Sequence, residues 1–446
     1  MAVNVSGSFA ADIEAYIADK TLPLTRRQLV VYQFGDPLTL PKGRGVTYTA
    51  TRYNRVPLPF SPLSEGVPPT GELMTIQQVT ATALQWGDKI TITDVAELTI
   101  KHPLFKKATE LTGLQIAETL ERNTFNNLQG FTQVNYVNSR GSRGLLVAGD
   151  VLNTHELNRA YAMLTTLGAP RFMGDEMTDM KVEADTLRGQ DKSPKVPHFP
   201  AVIHPFVAGD LRENQPIQYA WSQSDINKLY NHEIGQWNAI RFCESNMVPF
   251  WTGNAAIQGA AALTGNLATG NYFVIVTASD TQNQYESQIF AVSNAIAVVG
   301  PNGSIQVNLP VLSGYTFNVY VGTTNAPSSL GLAPASGPQS GPLTGQAVQL
   351  AGGQAVTITG IGAFQTPPAA PGVGVTVYPT YIFGRGAYGQ VMLDDVKFTY
   401  LKDADKSDPI NQLRVVGWKC FYGTLIQNVQ FAMRIESTSA FNATFG

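Results

Sequence analysis

The distribution of charge along the chain is its most constraining feature. Residues 245–384 contain two acidic residues, Asp280 and Glu286, and no lysine or arginine, whereas the other 306 residues carry 61 of the 63 charged side chains. Soluble domains average about a quarter charged residues, so such an abrupt change indicates two separately folded units. Because charged sequence resumes after the neutral stretch, the neutral unit is predicted to be inserted into the other one.

Composition excludes several classes of protein. The chain has 446 residues, of which 43% are apolar and 10% aromatic, enough for two or three domains with sizeable cores. The net charge of −3 comes without a basic stripe, which disfavours a dedicated nucleic-acid binder. The apolar runs are too short for a membrane span, and the first residues lack a secretory pattern, so we expect neither membrane anchoring nor secretion by that route. Cys243 and Cys420 could form a disulfide, but without a secretory signal two buried free thiols are the preferred interpretation.

The first 94 residues are predicted to form an arm followed by a long hairpin. Residues 1–43 are proline-rich and irregular, as is typical of an arm that gains order from neighbouring chains. Residues 44–55 alternate with the two-residue period of a strand, and a second strand-like run returns through 74–93 after the turn-rich sequence VPLPFSPLSEGVPPTG. An isolated hairpin is at best marginally stable in water, so one this long needs another surface to lie on.

Two helices carry clear sequence signals. Pro103 suits a first helical position, and apolar residues then recur at steps of three and four until Gly130, which predicts a helix of more than six turns. The apolar positions of this helix are Leu104, Ala108, Leu111, Leu114, Ala117 and Leu120. Asn153 with Glu156 three residues later is typical of the start of a second helix.

The neutral stretch is predicted to be all β. Short runs of β-branched and aromatic residues, such as NYFVIVTAS, SIQVNLP, YTFNVYVGT and AVTITG, are separated by glycine, proline, asparagine and serine. This spacing is expected of a β-sandwich. From Gly270 through SGYTFNVYVGTT the sequence resembles an immunoglobulin or fibronectin type III module, and the inserted unit is assigned to residues 251–371.

Motifs that would support catalysis are weak. Gly384, Gly386 and Gly389 match the glycine pattern of a dinucleotide-binding loop, but QVMLDDVKFTY, which follows, predicts a strand where that loop requires a helix. A tight turn between strands is the preferred interpretation. His204 lies in an apolar strand and is interpreted as a hydrogen-bonded core residue rather than a catalytic base. The sequence accordingly predicts no catalytic residue, no cofactor site and no metal site.

Acidic residues supply the remaining catalytic candidates. Those flanking strand-like segments are Glu65, Asp94, Glu97, Asp210, Glu213, Asp394 and Asp395. A pair of carboxylates is what glycoside hydrolysis requires, but isolated acids beside strands more commonly cap helices or form ion pairs. One candidate function is therefore a glycoside hydrolase-like enzyme with an accessory carbohydrate-binding β-sandwich. Another is a cell-surface adhesin. The enzyme would need a convergent polar site, and the adhesin would need a secretory signal.

Several short strings outside the neutral stretch occur together in an informative order. They are VTYTATRY, PLSEGVPPTGE, WGDKITITDVAE, VPHFPAVIHPFVAGDLR, HEIGQWNAIRFCESN, GAYGQVML, DPINQLRVVGWKCFYGTLI and RIESTSAF. On these strings the charged part of the chain resembles the major capsid protein of a tailed bacteriophage with the Hong Kong 97 (HK-97-like) fold, and in particular the podovirus N-four type capsid family. The neutral insertion is absent from the minimal family pattern.

The resemblance implies an α+β capsid fold with an inserted all-β immunoglobulin-like sandwich. Its parts would be an N-terminal arm (1–43), an extended hairpin loop (44–94), a peripheral domain with a long spine helix and an axial domain, both divided between 95–250 and 372–446, and the sandwich (251–371). An insertion without lysine or arginine suits a position facing away from packaged DNA, because phosphate contacts require cations.

The implied function is self-assembly. Copies of the chain would form pentameric and hexameric capsomers and then the icosahedral head that encloses double-stranded DNA, touched non-specifically on the inner face. Scaffolding, portal and decoration proteins are further partners that the resemblance implies, with no membrane involved. Assembly would take place in the bacterial host cytoplasm, and the product would be the virion capsid.

The hairpin tip is the candidate contact with a neighbouring subunit. Leu58, Phe60 and Leu63 are apolar residues of the tip that we expect to anchor in a neighbour. Glu65, the only charged residue of 56–71, is expected either to pair with a basic residue across the interface or to be a solvated turn residue.

Overall fold

The computed structural model covers the charged core and much of the neutral insertion. It describes residues 30–58, 62, 71–99, 104–172, 197–214, 216–217, 230–280, 285–300, 303–325, 331–332, 335–336, 350–351, 353, 355–358, 367–401 and 412–441. Most of the predicted arm and most of the predicted hairpin tip, including Phe60, Leu63 and Glu65, lie outside the described residues.

Strands greatly outnumber helices among the described residues. The helices are α1 (Asp94–Thr99), α2 (Leu104–Leu128), α3 (Thr154–Thr166) and α4 (Pro205–Glu213). The strands outside the insertion are β1 (Asp36–Thr39), β2 (Thr47–Tyr53), β3 (Ile76–Thr82), β4 (Leu84–Thr93), β5 (Val134–Tyr136), β6 (Phe199–Ile203), β7 (Glu233–Trp237), β8 (Ile240–Glu244), β20 (Thr376–Phe383), β21 (Tyr388–Leu401), β22 (Leu413–Ile426) and β23 (Ala432–Ser437). Those of the insertion are β9 (Trp251–Asn254), β10 (Gly259–Leu267), β11 (Gly270–Asp280), β12 (Glu286–Phe290), β13 (Ile296–Val298), β14 (Gly303–Asn308), β15 (Tyr315–Gly322), β16 (Gly331–Leu332), β17 (Ala335–Ser336), β18 (Leu350–Ala351) and β19 (Ala355–Ile358).

The described residues divide into two compact units, of which the smaller comprises 85–118 and 394–421. Within it, strands lie in the order β21-β22-β4. Trp418 Nε1 donates a hydrogen bond to Gln115 Oε1 at 3.1 Å, and Gln115 Nε2 donates to Asp88 Oδ2 at 2.6 Å. The amide of one helical residue therefore ties together two strands of this sheet.

Strand β20 is the central strand of the larger unit. All eight of its residues are buried, and none of the residues in TVYPTYIF is charged. Residues 378–383 pair antiparallel with 432–437 of β23, and β20 also pairs antiparallel with β6. The sheet continues from β6 to β8, which is parallel to it, and on to β7, while β23 pairs in parallel with β5.

Helices α3 and α4 and this sheet share the main apolar core. Asn153 Oδ1 accepts a hydrogen bond from Glu156 N at 3.1 Å, which confirms the predicted start of the second helix. The core includes Leu157, Ala160, Leu164, Phe199, Ala201, Ile203, Val207, Leu211, Ile240, Phe242, Ile382, Met433 and Ile435.

The long helix α2 forms where it was predicted, but its buried face differs from the predicted one. Of the predicted positions, Ala108 and Leu120 are buried, but the buried stripe runs at four-residue steps through Thr112, Ile116, Thr124 and Leu128, and Glu121 and Phe125 are buried beside it. Leu111, predicted to be buried, is 46% exposed. Threonine is accommodated in the buried stripe because its hydroxyl donates to the carbonyl four residues earlier, at 2.7 Å for Thr112 and 2.9 Å for Thr124.

The described part of the insertion is a two-layer β-sandwich. One layer contains β15, β11 and β12, and the other has the order β10-β14-β19-β17. Apolar side chains of both layers meet in one cluster that includes Leu267, Val274, Val276, Ile305, Val307, Phe317, Val319, Val356 and Ile358. The prediction that the neutral stretch is all β with sandwich spacing agrees with this arrangement.

The sandwich and the core share a hydrogen-bonded sheet. Strand β9 pairs antiparallel with β20, placing Trp251 beside Val377, and pairs in parallel with β12 of the sandwich. The first layer of the sandwich therefore continues into the sheet of the core.

Candidate subunit interface

The predicted hairpin is a two-stranded ribbon. Residues 47–53 of β2 pair antiparallel with 76–82 of β3, and the two strands form a sheet of their own. The single strand expected over 74–93 divides at Ala83, because β4 on the far side of this residue joins β22 instead. The ribbon is thus shorter than the range 44–94 assigned from the sequence.

The base of the ribbon is fixed to strand β22. Ala83 is 2% exposed, and its N–H donates to Val46 O at 2.8 Å. A side chain at Gly423 would place its Cβ 2.6 Å from the carbonyl oxygen of Thr82, so glycine is required for the backbones to pass this closely. The ribbon therefore begins from a rigid point of attachment.

Beyond its base the ribbon is largely exposed. Tyr53 and Ile76 lie opposite each other in the ladder, with exposed fractions of 65% and 55%. Further exposed apolar side chains on the ribbon and its flanks are Val46, Val56, Leu58, Leu73 and Met74. Since a two-stranded ribbon is marginal in water, this exposed ribbon is the candidate surface for contact with another molecule.

The structure describes only part of the predicted tip. Leu58 is 91% exposed, and its role as an anchor stays a prediction. Phe60, Leu63 and Glu65 lie outside the described residues, so their roles stay predictions. The sequence analysis missed the exposed pair formed by Tyr53 and Ile76, although these large apolar residues stand out on a strand face otherwise made of threonine and glutamine.

A buried carboxylate holds the segment that follows the predicted arm. Glu121 Oε1 accepts hydrogen bonds from Val30 N and Val31 N, both at 2.7 Å, and its Oε2 accepts one from Tyr32 N at 3.0 Å. Tyr388 Oη donates to Val31 O at 2.7 Å. Burial raises the pKa of Glu121, and the three N–H donors oppose that rise. The path of the chain out of the arm is thereby fixed on α2.

The fold is similar to those of known proteins. No protein-family model matches the sequence, and no curated protein matches it. The structure is similar to the cyanophage Pam1 capsid, with a TM-score of 0.51 and 9% sequence identity over 97% of this chain and 98% of that chain. The chain has an α+β phage-capsid fold.

Other solved capsids align over similar lengths. The capsid of Ralstonia phage GP4 gives a TM-score of 0.49 at 9% identity, covering 96% of both chains. That of Helicobacter pylori bacteriophage KHP30 gives 0.49 at 8% identity, covering 98% of both.

The glycine motif forms a turn between strands of the capsid fold. Gly384 follows β20, Gly386 has a φ of +74°, and β21 begins at Tyr388. The predicted strand-to-strand turn is thereby confirmed, and the helix that a dinucleotide loop needs is replaced by β21. A Cβ on Gly384 would lie 2.5 Å from the carbonyl oxygen of Pro170, so close backbone packing accounts for this glycine.

His204 caps a helix within an aromatic cluster. Its Nδ1 accepts a hydrogen bond from Phe206 N at 3.2 Å at the start of α4. Its ring centroid lies 4.6 Å from that of Tyr378 and 6.0 Å from that of Phe250. Burial lowers the pKa of His204 to about 4, so the ring is neutral at pH 7. The predicted hydrogen bonding is confirmed, but His204 follows β6 instead of lying within it and is half-buried.

Several of the acidic candidates among the described residues have structural partners. Asp210 Oδ1 accepts from Ala440 N at 3.1 Å, and burial raises the pKa of Asp210. Glu97 forms an ion pair with Arg414. Within the described ranges, no three histidine, cysteine, aspartate or glutamate side chains converge as metal ligands would.

The two cysteines are buried and not joined by a disulfide, as predicted for Cys243 and Cys420. Burial raises the pKa of both thiols, Cys243 the more strongly. Both are therefore protonated and unreactive at neutral pH. Among the helices that the structure describes, none is both long and apolar enough to cross a membrane.

Proposed function

We propose that this chain is the major capsid protein of a tailed bacteriophage, which assembles with copies of itself into the icosahedral head around double-stranded DNA. The observation that carries the proposal is the exposed ribbon of β2 and β3 on an α+β phage-capsid fold. A second copy of the chain is the natural partner for a surface that every subunit presents and none covers with its own described residues.

The arrangement follows the Hong Kong 97 pattern in this proposal. The ribbon is the extended loop that lies across a neighbouring subunit, and α2 is the spine helix of the peripheral domain. Residues 153–245, with part of the C-terminal segment, form the axial domain around the five-fold and six-fold positions. The sandwich of 251–371 is an immunoglobulin-like module that faces outward, because its composition offers no cation to packaged DNA.

In the proposed shell every subunit repeats the ribbon contact. Burying a large apolar side chain contributes about 2 kcal/mol, so Tyr53, Ile76 and Leu58 together contribute several kcal/mol at each contact between subunits. A heterologous contact that closes on itself yields a shell in which every subunit gives and receives this contact. Modest contacts thus add up to a stable particle.

Further partners follow from the same proposal. Pentameric and hexameric capsomers are its assembly units, scaffolding, portal and decoration proteins bind the shell, and packaged DNA touches the inner face without sequence preference. The shell assembles in the cytoplasm of the bacterial host and remains as the virion capsid.

A pair of matched double variants tests the role of the ribbon. We expect Tyr53→Thr with Ile76→Thr to leave the subunit folded but to reduce the yield of closed particles at least tenfold. The control is Leu263→Thr with Val299→Thr on the insertion, where the exposed fractions are 70% and 68%, and it should assemble as the unaltered protein does. Particle yield is measured by sedimentation and negative-stain microscopy. Equal yields from the two double variants would overturn the role given to the ribbon.

A further inference from the structure

The chain enters and leaves the sandwich through two segments, 251–254 and 369–376, which we call the root. Gly253 N donates to Val375 O at 3.0 Å, and Gly374 N donates to Gly253 O at 2.8 Å. A Cβ on Gly253 would lie 2.6 Å from the carbonyl oxygen of Pro371, so only glycine allows the two segments to run this close together.

One arginine of the core contacts both segments of the root. The guanidinium of Arg143 lies 3.6 Å from the centroid of the Trp251 ring, which belongs to the entering segment. Its Nη1 donates to Ala369 O at 2.9 Å, in the leaving segment. Its other two nitrogens donate to Glu436, from Nε to Oε2 and from Nη2 to Oε1, each at 2.7 Å.

A second arginine completes a buried group of charges. Arg434 Nε lies 3.0 Å from Glu436 Oε1, and Arg434 Nη1 donates to Gln129 O at 2.6 Å. The side chains of Arg143, Arg434 and Glu436 are 7%, 10% and 0% exposed. Buried charges are costly unless they are paired and hydrogen-bonded. A displacement of the root that separated these charges would therefore be unfavourable. We call these three residues with Trp251 the root cluster.

Apolar packing reinforces the root cluster from the sandwich side. Ile289 of β12 is fully buried in a cluster with Leu146, Trp251 and Val377. Because β12 also pairs with β9, the sandwich contributes both a buried side chain and backbone hydrogen bonds between strands to the root. The inserted module therefore meets the core through a packed joint and not through a flexible linker.

We propose that Arg143 is a positioning residue that fixes the sandwich on the core, so that the two move as one body and the root is not a hinge. Only arginine supplies this set of contacts, since its planar fork binds a carboxylate through two nitrogens, reaches a carbonyl with a third and stacks on an aromatic ring. Lysine at this position would keep the charge and lose the stacking and the paired hydrogen bonds. The proposal does not depend on the function assigned above.

Hydrogen exchange followed by mass spectrometry tests the proposal on the purified full-length protein. In Arg143→Lys, amides of the root should exchange at least tenfold faster than in the unaltered protein, while those of β11 and β15 inside the sandwich keep their rates. Arg140→Lys is the matched control, because Arg140 lies in the same loop but pairs with Asp150 at 3.0 Å. It should leave exchange at the root unchanged.

Glu436→Gln gives an independent second variant, since it keeps the size of the side chain and removes the charge that both arginines share. It should raise exchange at the root in the same selective way. Unchanged exchange at the root in both variants overturns the proposal. A rise of equal size in the root, the sandwich and the core also overturns it, because that result would mean general destabilisation and no specific role at the joint.

Discussion

At the residue scale, single polar side chains satisfy backbone groups that apolar packing leaves without partners. Glu121 accepts three N–H groups at the end of the predicted arm, and His204 accepts one at the start of α4. Both side chains sit among apolar neighbours, where an unpaired N–H costs about 1–3 kcal/mol. The hydrogen bonds that these two side chains accept therefore depend on their protonation states.

His204 should make the subunit sensitive to mild acid. Its folded pKa of about 4 lies below the ordinary value of 6.5, so its contribution is complete above pH 6.5 and is lost as the pH falls from 6.5 towards 4. His204→Asn keeps a capping acceptor and removes this titration. We expect the unfolding free energy, measured by urea denaturation, to fall between pH 7 and pH 4.5 in both proteins. The fall should be about 2 kcal/mol smaller in the variant than in the unaltered subunit.

The comparison between pH 7 and pH 8 is the control, because both values lie above the ordinary pKa of histidine. Over that range the stabilities of the variant and of the unaltered subunit should change equally. If His204→Asn shows the slope of the unaltered subunit, the neutral cap is not the source of the acid sensitivity.

Some of these residues could be interpreted from the sequence and others could not, for one physical reason. His204 was interpretable because its neighbours along the chain are an apolar strand and a proline. Glu121 and Arg143 were not singled out, because their partners, Val30 and Glu436, are far away along the chain. No local pattern records a contact of that kind.

At the element scale, the ends of elements were predictable, whereas the buried face of α2 and the strand partners were not. The bounds of α2 agree with the prediction from Pro103 and Gly130, since signals that begin and end a helix are local. The division of the long strand at Ala83 and the pairing of β9 with β20 depend on partners elsewhere in the chain. The all-β character of the insertion was predictable, whereas its shared sheet with the core was not.

The hairpin tip gives a prediction for an element outside the described residues. We expect Phe60→Ala, alone or with Glu65→Lys, to lower the melting temperature of assembled shells or to block assembly, because a buried phenylalanine contributes about 2 kcal/mol at every copy of the contact. The isolated subunit should melt as before. Scanning calorimetry of shells and subunits makes the comparison, with Val311→Ala, 82% exposed in the unaltered chain, as the control. Unchanged assembly and shell melting in the double variant would show that the tip does not hold neighbours together.

Removal of the insertion tests how far the core stands alone. Replacing residues 255–368 with a short glycine-serine linker should leave a core that still melts in one cooperative transition. Its stability should fall by on the order of 3–5 kcal/mol, because Ile289 is lost from beside Trp251 and Tyr285 from the cluster that holds Phe34 and Tyr381. Circular dichroism melting reports both quantities. Loss of cooperativity would count against a separable module.

At the scale of the whole molecule, three features bear on the proposed function: an exposed ribbon, a buried exit from the predicted arm, and an inserted module without lysine or arginine. In that proposal a neighbouring copy of the chain covers the ribbon, and the module faces away from DNA because it offers no cation to phosphate. The fold is similar to that of the cyanophage Pam1 capsid, and self-assembly is the function that we propose for the exposed ribbon.

Negative-stain electron microscopy of the purified full-length protein, with its mass distribution measured by sedimentation, tests that claim most directly. We expect closed icosahedral shells, or capsomers of five and six subunits that convert into shells as concentration rises. A protein that remains strictly monomeric at every concentration, and that turns over a small substrate, would instead be an enzyme and not a capsid subunit.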